Sequence, residues 1–181
     1  LYQQALAMDP SQPRVNLDLA VSLMRLGKLD AAAAHLETSL ERDPDNVDTR
    51  KRLVVLLSQT GQYDDMHKHS AWLVERDEAD AIARLHLAHA LKKQQDFGEA
   101  LSHYRRVVQE RPNLLIAQND LAWLLATCPD DDVRDGEAAL VIAEQLCEAT
   151  KHRHPALLDT LAAAQAANGQ FDEAVSTLQT A

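Results

Sequence analysis

Eight histidines among 181 residues raise the question of a metal site. His86 and His89 are three residues apart, so on a helix they would share one face and could share a metal ion. A stable site needs a third ligand, and neither an HExxH motif nor a neighbouring carboxylate supplies one. His67 and His69 are two residues apart and would point in different directions on a helix. The sequence therefore predicts no metal site.

Motifs of covalent or phosphoryl-transfer catalysis are also missing. The sequence contains no glycine-rich phosphate loop and no GxSxG motif. Of the two cysteines, Cys128 precedes the acidic residues 130–132, whose negative charges would disfavour the thiolate that a nucleophile needs. We therefore predict no enzymatic activity within these residues and no bound cofactor.

The charge of the chain argues against nucleic acid as a partner. The formal net charge is −10 and the sequence pI is near 5.1, whereas phosphate binding needs a basic face. The charge is uneven, because the net value is −5 over residues 1–80, +3 over residues 81–112 and −8 over residues 113–181. The basic segment is a candidate for binding an acidic partner, and the alternative is an ordinary solvated surface.

The composition favours helices. Ala and Leu supply nearly a third of the residues, whereas aromatic residues make up 4%. The apolar runs are too short to cross a bilayer and no signal sequence opens the chain. We expect a soluble protein, or a soluble part of a longer one, without membrane insertion. Two cysteines leave the cellular compartment open.

A 34-residue repeat runs through the chain. Leu-Ala or Leu-Val pairs begin at Leu19, Leu53, Leu87 and Leu121 and keep this period without a break. Within each unit, apolar residues follow helical spacing in two stretches. We expect the leucines of these columns to be buried: Leu19, Leu23, Leu53, Leu57, Leu87, Leu91, Leu121 and Leu125.

Turn residues divide each unit into a pair of helices. Gly27 and Gly61 can take the left-handed conformation that ends a first helix. Pro44 and Pro112 stop the second helices, because proline lacks an amide donor. Two short helices cannot bury both of their apolar stripes alone, whereas stacked pairs can. The sequence therefore predicts an all-α fold of stacked antiparallel helix pairs.

The recurring pattern of Leu-Ala, Leu, Gly, an aromatic residue or Leu, Ala and Pro resembles the tetratricopeptide repeat, a 34-residue helix-turn-helix unit. The resemblance implies a right-handed α-solenoid over essentially the whole chain. Gln95 departs from the pattern because it replaces the turn glycine, and Ser70 replaces a larger residue of the second helix. Residues 121–130, with the segments that begin at Leu158 and Gly169, resemble a C-terminal unit common in bacterial tetratricopeptide proteins.

The predicted boundaries follow the repeat period within a single domain, which we expect to be cut from a longer protein. The step from Leu121 to Leu161 is six residues longer than the period, so six residues are inserted near 127–136 and around 151–155. We expect a surface loop at 127–136 that could be shortened without harm to the helix stack. Trp123 either packs against this loop or faces a ligand in the groove. The predicted repeats are a partial one at 1–12, complete ones at about 13–46, 47–80, 81–114 and 115–154, and a partial one at 155–181.

The resemblance also implies where a partner would bind, because first helices line the concave side of this family's solenoid. We predict a groove with a basic inner wall, which would attract an acidic or carboxylate-ended peptide or protein segment. The family's carboxylate-binding arrangement is not carried over, because Asp18 and Asp120 stand at positions where it requires Asn. The predicted partner-binding residues are Arg14, Arg25, Lys51, Arg52, His86, His89, Lys92, Asn119 and Trp123.

Three functions stay open at this point. The leading hypothesis is a non-catalytic protein–protein interaction scaffold that binds a peptide or a partner domain in the concave groove. The alternative is a structural spacer or homo-oligomerisation arm attached to an enzymatic domain of the same polypeptide, with self-association through Phe171, Val175 and Leu178. A third hypothesis is a regulatory sensor whose groove holds a small ligand.

Overall fold

The computed structural model describes residues 13–180, so the partial repeat predicted for residues 1–12 lies outside the described residues. Within residues 13–180 the chain forms ten α-helices and no strand, which confirms the all-α prediction. The helices are α1 (Pro13–Arg25), α2 (Leu29–Arg42), α3 (Val47–Thr60), α4 (Tyr63–Arg76), α5 (Ala81–Lys93), α6 (Phe97–Glu110), α7 (Leu115–Thr127), α8 (Gly136–Ala149), α9 (Pro155–Ala167) and α10 (Phe171–Thr180).

The helices fall into two compact units, each with its own packing. Unit 1 spans Leu1–Gln94 and contains α1–α5, and unit 2 spans Gln95–Ala181 and contains α6–α10. In each unit consecutive helices pack on each other across short connections, so they run antiparallel. In addition, α3 contacts α5 in unit 1 and α7 contacts α9 in unit 2. The first helices α3 and α5 therefore touch in unit 1, and α7 and α9 touch in unit 2, as expected for stacked helix pairs.

Unit 1 has a core of aliphatic side chains, and local hydrogen bonds cap the ends of its helices. Leu36, Leu53 and Leu57 are fully buried in the core. Asn46 caps α3 by accepting a hydrogen bond from the Thr49 amide at 2.9 Å. The helix limits are therefore set by capping residues as well as by the apolar stripe.

Two of the eight leucines predicted to be buried are only half-buried. Leu19 and Leu23 of α1 keep partial exposure, although Leu23 packs against the core of unit 1. Within residues 13–180, α1 packs mainly against α2, whereas α3 contacts α2, α4 and α5. The prediction holds for the other six leucines: Leu53, Leu57, Leu87, Leu91, Leu121 and Leu125.

The loop between α7 and α8 is mostly exposed, but two of its side chains are packed into the protein. Cys128 and Val133 are buried, at 2% and 6% exposure. The Asp135 amide donates to the carbonyl of Leu125 at 2.9 Å, and the Arg134 guanidinium donates to the carbonyl of Cys128 at 3.0 Å. Shortening this loop would therefore expose apolar surface and remove hydrogen bonds to the end of α7.

Gln95 has a left-handed backbone in spite of its side chain. Its φ is 67°, close to the values of 69° at Gly27 and 73° at Gly61, which occupy the same position in the two preceding repeats. A residue with a Cβ atom is strained in this region, whereas glycine is not. The turn geometry is therefore kept after α5 even where the sequence has lost the glycine.

Candidate partner-binding site

The first helices of unit 1 carry seven of the predicted groove residues, in two environments. The residues on α1 and α3 are exposed, whereas those on α5 are half-buried. The exposed group therefore offers cations to solvent, and the half-buried group lies closer to the body of the unit. The exposed residues are Arg14, Arg25, Lys51 and Arg52, and the half-buried ones are His86, His89 and Lys92.

A cavity of ≈ 230 Å³ lies between α3 and α5 and reaches Leu73 of α4. Two of the predicted groove residues, Lys51 and His86, line this α3–α5 cavity. The rest of the lining is mostly aliphatic, so the cavity combines an apolar interior with a few polar groups, as small binding sites do. The lining residues are Lys51, Val54, Val55, Leu73, Asp80, Ile82, Ala83 and His86.

The charged group of the α3–α5 cavity is an ion pair. Lys51 Nζ lies 2.7 Å from Asp80 Oδ2, and the hydrogen bond to Asp80 raises the pKa of Lys51. Asp80 also accepts the Ala83 amide at 3.0 Å and so caps α5. Burial alone would raise the pKa of Asp80, but the hydrogen bonds from Lys51 and the backbone outweigh burial and lower it. Both groups are therefore charged at neutral pH, and together they contribute no net charge.

The two histidines of α5 add no positive charge at neutral pH. Burial lowers the pKa of His86. Burial also lowers the pKa of His89 to about 4, with further lowering from the charges of Lys92 and Lys93. His89 packs against the Tyr63 ring at a centroid distance of 5.8 Å. The surface on α5 is therefore less basic than the sequence predicts.

The predicted residues of unit 2 lie on α7 and do not line the α3–α5 cavity. Asn119 accepts a hydrogen bond from the Thr160 hydroxyl of α9 at 2.8 Å, so its side chain helps to join two first helices. Trp123 is 40% exposed, and Ile116, two turns earlier on the same helix, is 56% exposed. Ile116 and Trp123 are seven residues apart and form an exposed apolar stripe on one face of α7.

Two arginines of the chain are structural, which charge counting missed. Arg50 and Arg84 are one 34-residue period apart and buried, and each donates a hydrogen bond to the backbone carbonyl six residues earlier. Gln118, one further period along the chain, makes the same bond to the carbonyl of Pro112. The carbonyls belong to the turns between repeats. The 34-residue spacing of the donors was the signal that could have identified this role.

Residues 13–180 contain no group of three or more His, Cys, Asp or Glu side chains placed to hold a metal ion. None of the helices in this part of the chain combines the length and the apolar character that a membrane span requires.

The geometry defines a helical repeat protein, with helix pairs of 34-residue period and a cleft between successive first helices. Sequence models described as tetratricopeptide repeat match residues 1–38, 23–65, 51–127 and 155–180. The chain belongs to the tetratricopeptide repeat family. Its fold is that of a non-catalytic protein-interaction scaffold in the general sense. No curated protein gives a significant match to the sequence.

Solved structures of tetratricopeptide proteins share this fold. The crystal structure of MamA protein has a TM-score of 0.75 and 19% identity, over 93% of this chain and 88% of that one. YrrB, described as a TPR protein with an unusual peptide-binding site, has a TM-score of 0.72 and 16% identity, over 99% and 89%. TTC0263, a thermophilic TPR protein in Thermus thermophilus, has a TM-score of 0.67 and 19% identity, over 91% and 87%. At these identities the likeness shows the fold.

Proposed function

We propose that the first helices of unit 1 bind an extended segment of a protein partner, with one apolar side chain of that segment seated in the α3–α5 cavity. The observation that carries the proposal is the aliphatic lining of this cavity beside the exposed cations of α3. Burial of one aliphatic side chain would contribute about 1.5–3 kcal/mol. YrrB, which has the same fold, is described as a TPR protein with an unusual peptide-binding site, and this supports a peptide as the ligand proposed here.

The polar groups of the cavity suit the backbone of such a segment. A neutral His86 imidazole has one donor nitrogen and one acceptor nitrogen, so it can pair with a peptide amide or carbonyl. Lys51 keeps 48% of its side chain exposed while it is paired with Asp80, so it can donate a further hydrogen bond to a partner carbonyl. The two groups would orient the segment without requiring a charged ligand.

An acidic partner is the second element of the proposal. Arg14, Arg25 and Arg52 are exposed on α1 and α3, and Arg can hold a carboxylate with two hydrogen bonds. Because Lys51 is neutralised by Asp80 and the α5 histidines are uncharged, these arginines would supply most of the attraction, together with Lys92 of α5. We therefore propose acidic residues beside the apolar anchor rather than a carboxylate inside the cavity.

The test is a peptide selection followed by measurements on matched variants. Peptides selected from a random display library on the full chain would be measured by fluorescence anisotropy. Ile82 lines the cavity and is 50% exposed, so Ile82→Glu should weaken binding by about tenfold or more. Val141 of α8 is 54% exposed and distant in sequence from the cavity residues, so Val141→Glu is the control and should leave binding unchanged. Equal binding by both variants would reject the cavity as the site.

A specific observation also supports the alternative of self-association. Phe171, Val175 and Leu178 form one stripe of α10 and are 66%, 56% and 52% exposed. We propose a second copy of the chain as the occupant of this stripe. Sedimentation velocity at increasing protein concentration would show a dimer that Val175→Lys abolishes. A monomer at every concentration would exclude this role.

A further inference from the structure

We infer that unit 2 carries a second docking site, which binds an arginine side chain of a protein partner. The site is a cavity of ≈ 360 Å³ between α8, α9 and α10, here named the α8–α10 cavity. It lies in a different unit from the α3–α5 cavity and is built from other helices, so it does not depend on the proposed function. The lining residues are Glu144, Glu148, His152, Leu158, Leu161, Gln165, Thr177 and Thr180.

The α8–α10 cavity has an apolar floor and an acidic wall. Leu158 and Leu161 of α9 are 2% and 5% exposed and form the floor. Glu144 and Glu148 of α8 are exposed and four residues apart, so they project from the same side of their helix. An arginine side chain matches this combination, because its aliphatic stem packs on apolar surface while its charged head reaches carboxylates.

The opposite wall offers hydrogen-bond acceptors. The Thr177 hydroxyl donates to Gln165 Oε1 at 2.8 Å, and the Thr180 hydroxyl donates to the Thr177 carbonyl at 2.8 Å. Because both hydroxyl hydrogens are used inside the protein, the two threonine oxygens can only accept a hydrogen bond from a ligand, whereas the Gln165 side chain has its NH2 group as a donor. A guanidinium group has five N–H donors and no acceptor, so it complements the two threonine oxygens.

The surrounding charge favours a cation as the ligand. Within the described residues, neither Glu144 nor Glu148 forms an ion pair. Helices α7–α10 contain no Lys or Arg and seven Asp or Glu residues, whereas the connection between α8 and α9 carries Lys151 and Arg153 on either side of the lining residue His152. A cleft lined by one sign of charge raises the local concentration of oppositely charged groups. The two glutamates are therefore available to a basic side chain from outside the chain.

The cavity is also distinct from the surface that the sequence predicts on unit 2. The exposed stripe of α7 contains Ile116 and Trp123, and neither residue lines the α8–α10 cavity. On α9 the cavity uses Leu158 and Leu161, whereas the exposed Asp159 between them takes no part in the lining. Unit 2 thus has two separate surfaces of different chemistry.

The experiment is an NMR titration of the full chain with the peptide acetyl-Ala-Leu-Arg-Leu-Ala-amide. We expect saturable amide shifts concentrated at Glu144, Glu148 and Thr177. The same peptide with citrulline in place of arginine keeps the shape but lacks the charge, and it should bind about tenfold more weakly. Binding of the arginine peptide should also weaken as salt is raised from low to physiological concentration.

Matched variants distinguish binding in the α8–α10 cavity from nonspecific attraction of the peptide to acidic side chains elsewhere on unit 2. Glu144→Gln with Glu148→Gln should abolish the saturable shifts. Asp172→Asn with Glu173→Gln makes the same change in net charge on α10, outside the cavity lining, and should leave them intact. Thermal melts followed by circular dichroism would verify that both variants are folded. The inference is overturned if the peptide causes no saturable shifts, if citrulline binds equally well, or if the two double variants behave alike.

Discussion

The guanidinium carbon of Arg50 lies 3.8 Å from the centroid of the Trp72 indole, so a cation of α3 stacks on an aromatic ring of α4. Arg76 stacks on the same ring at 4.0 Å and pairs with Asp45. Arg50 also donates a hydrogen bond to His69 Nδ1 at 2.7 Å, which requires that nitrogen to be unprotonated. One indole thus joins two cations within a single helix pair.

Replacing this indole should destabilise unit 1. Trp72→Leu removes both cation–π contacts and leaves the two guanidinium groups without the ring, so the free energy of unfolding should fall by about 2–3 kcal/mol. Trp72→Phe keeps a smaller aromatic face and should cost less. Urea denaturation followed by circular dichroism measures both values. Equal losses for Leu and Phe would show that the ring acts through packing alone.

Stability should fall between pH 7 and pH 4 because of two histidines. Burial lowers the pKa of both His69 and His89 to about 4, from a value of 6.5. The unfolded chain therefore binds more protons in this window, and the free energy of unfolding decreases as the pH is lowered.

The contribution of the two histidines to the pH dependence of stability can be measured as the difference between the parent chain and a double variant. His69→Gln with His89→Gln should flatten the decrease, measured as urea unfolding at steps from pH 7 to pH 4. Carboxylates that titrate near pH 4 affect both proteins alike, so the difference between them reports the histidines. Parallel curves for the parent chain and the variant would contradict the prediction.

Restoring the turn glycine should stabilise the protein. Gln95→Gly relieves the backbone strain of the left-handed conformation at φ 67°. The greater freedom of glycine in the unfolded chain offsets part of this effect, so the free energy of unfolding should rise by about 0.5–1 kcal/mol. The matched change Gly61→Ala introduces strain at φ 73° and should lower stability by about 1 kcal/mol. Melting temperatures should therefore move in opposite directions, and a lower Tm for Gln95→Gly would refute this account.

The loop after α7 should prove to be part of the core. Val133→Ala removes two buried methyl groups and should cost about 1–2 kcal/mol, whereas Asp132→Ala at an exposed position should change stability by less than about 0.5 kcal/mol. Chemical denaturation distinguishes the two. If Val133→Ala is as mild as Asp132→Ala, the loop is dispensable after all.

The fold was predictable because it depends on periodic burial. Leu53, Leu87 and Leu121 recur with the 34-residue period and are buried in register. Solvent exposure at α1 was not predictable, since it depends on what packs beside a helix rather than on the helix itself. The packing of Val133 was missed for a similar reason, because an insertion carries no period from which burial can be inferred.

The candidate site was predictable in part. Lys51 and His86 were foreseen because the spacing places them on first helices, and both line the α3–α5 cavity. Asp80 was not foreseen, although its position before α5 is typical of a helix cap. Counting charges treats every Lys and Arg as equally available, whereas Lys51 is paired with Asp80 and Arg84 is buried. The charges that the site presents to a partner could therefore be assigned only from the structure.

The side chains that close the turns between repeats also bear on how such a chain can lengthen. Arg50 bonds to the carbonyl of Pro44, and Gln118 bonds to that of Pro112, so each turn is tied by a residue only six positions downstream. A tandem duplication of a 34-residue segment that includes both the donor side chain and the acceptor carbonyl would duplicate this hydrogen bond together with the turn. New repeats could then be added by gene duplication and fold at once, without compensating changes at the junction.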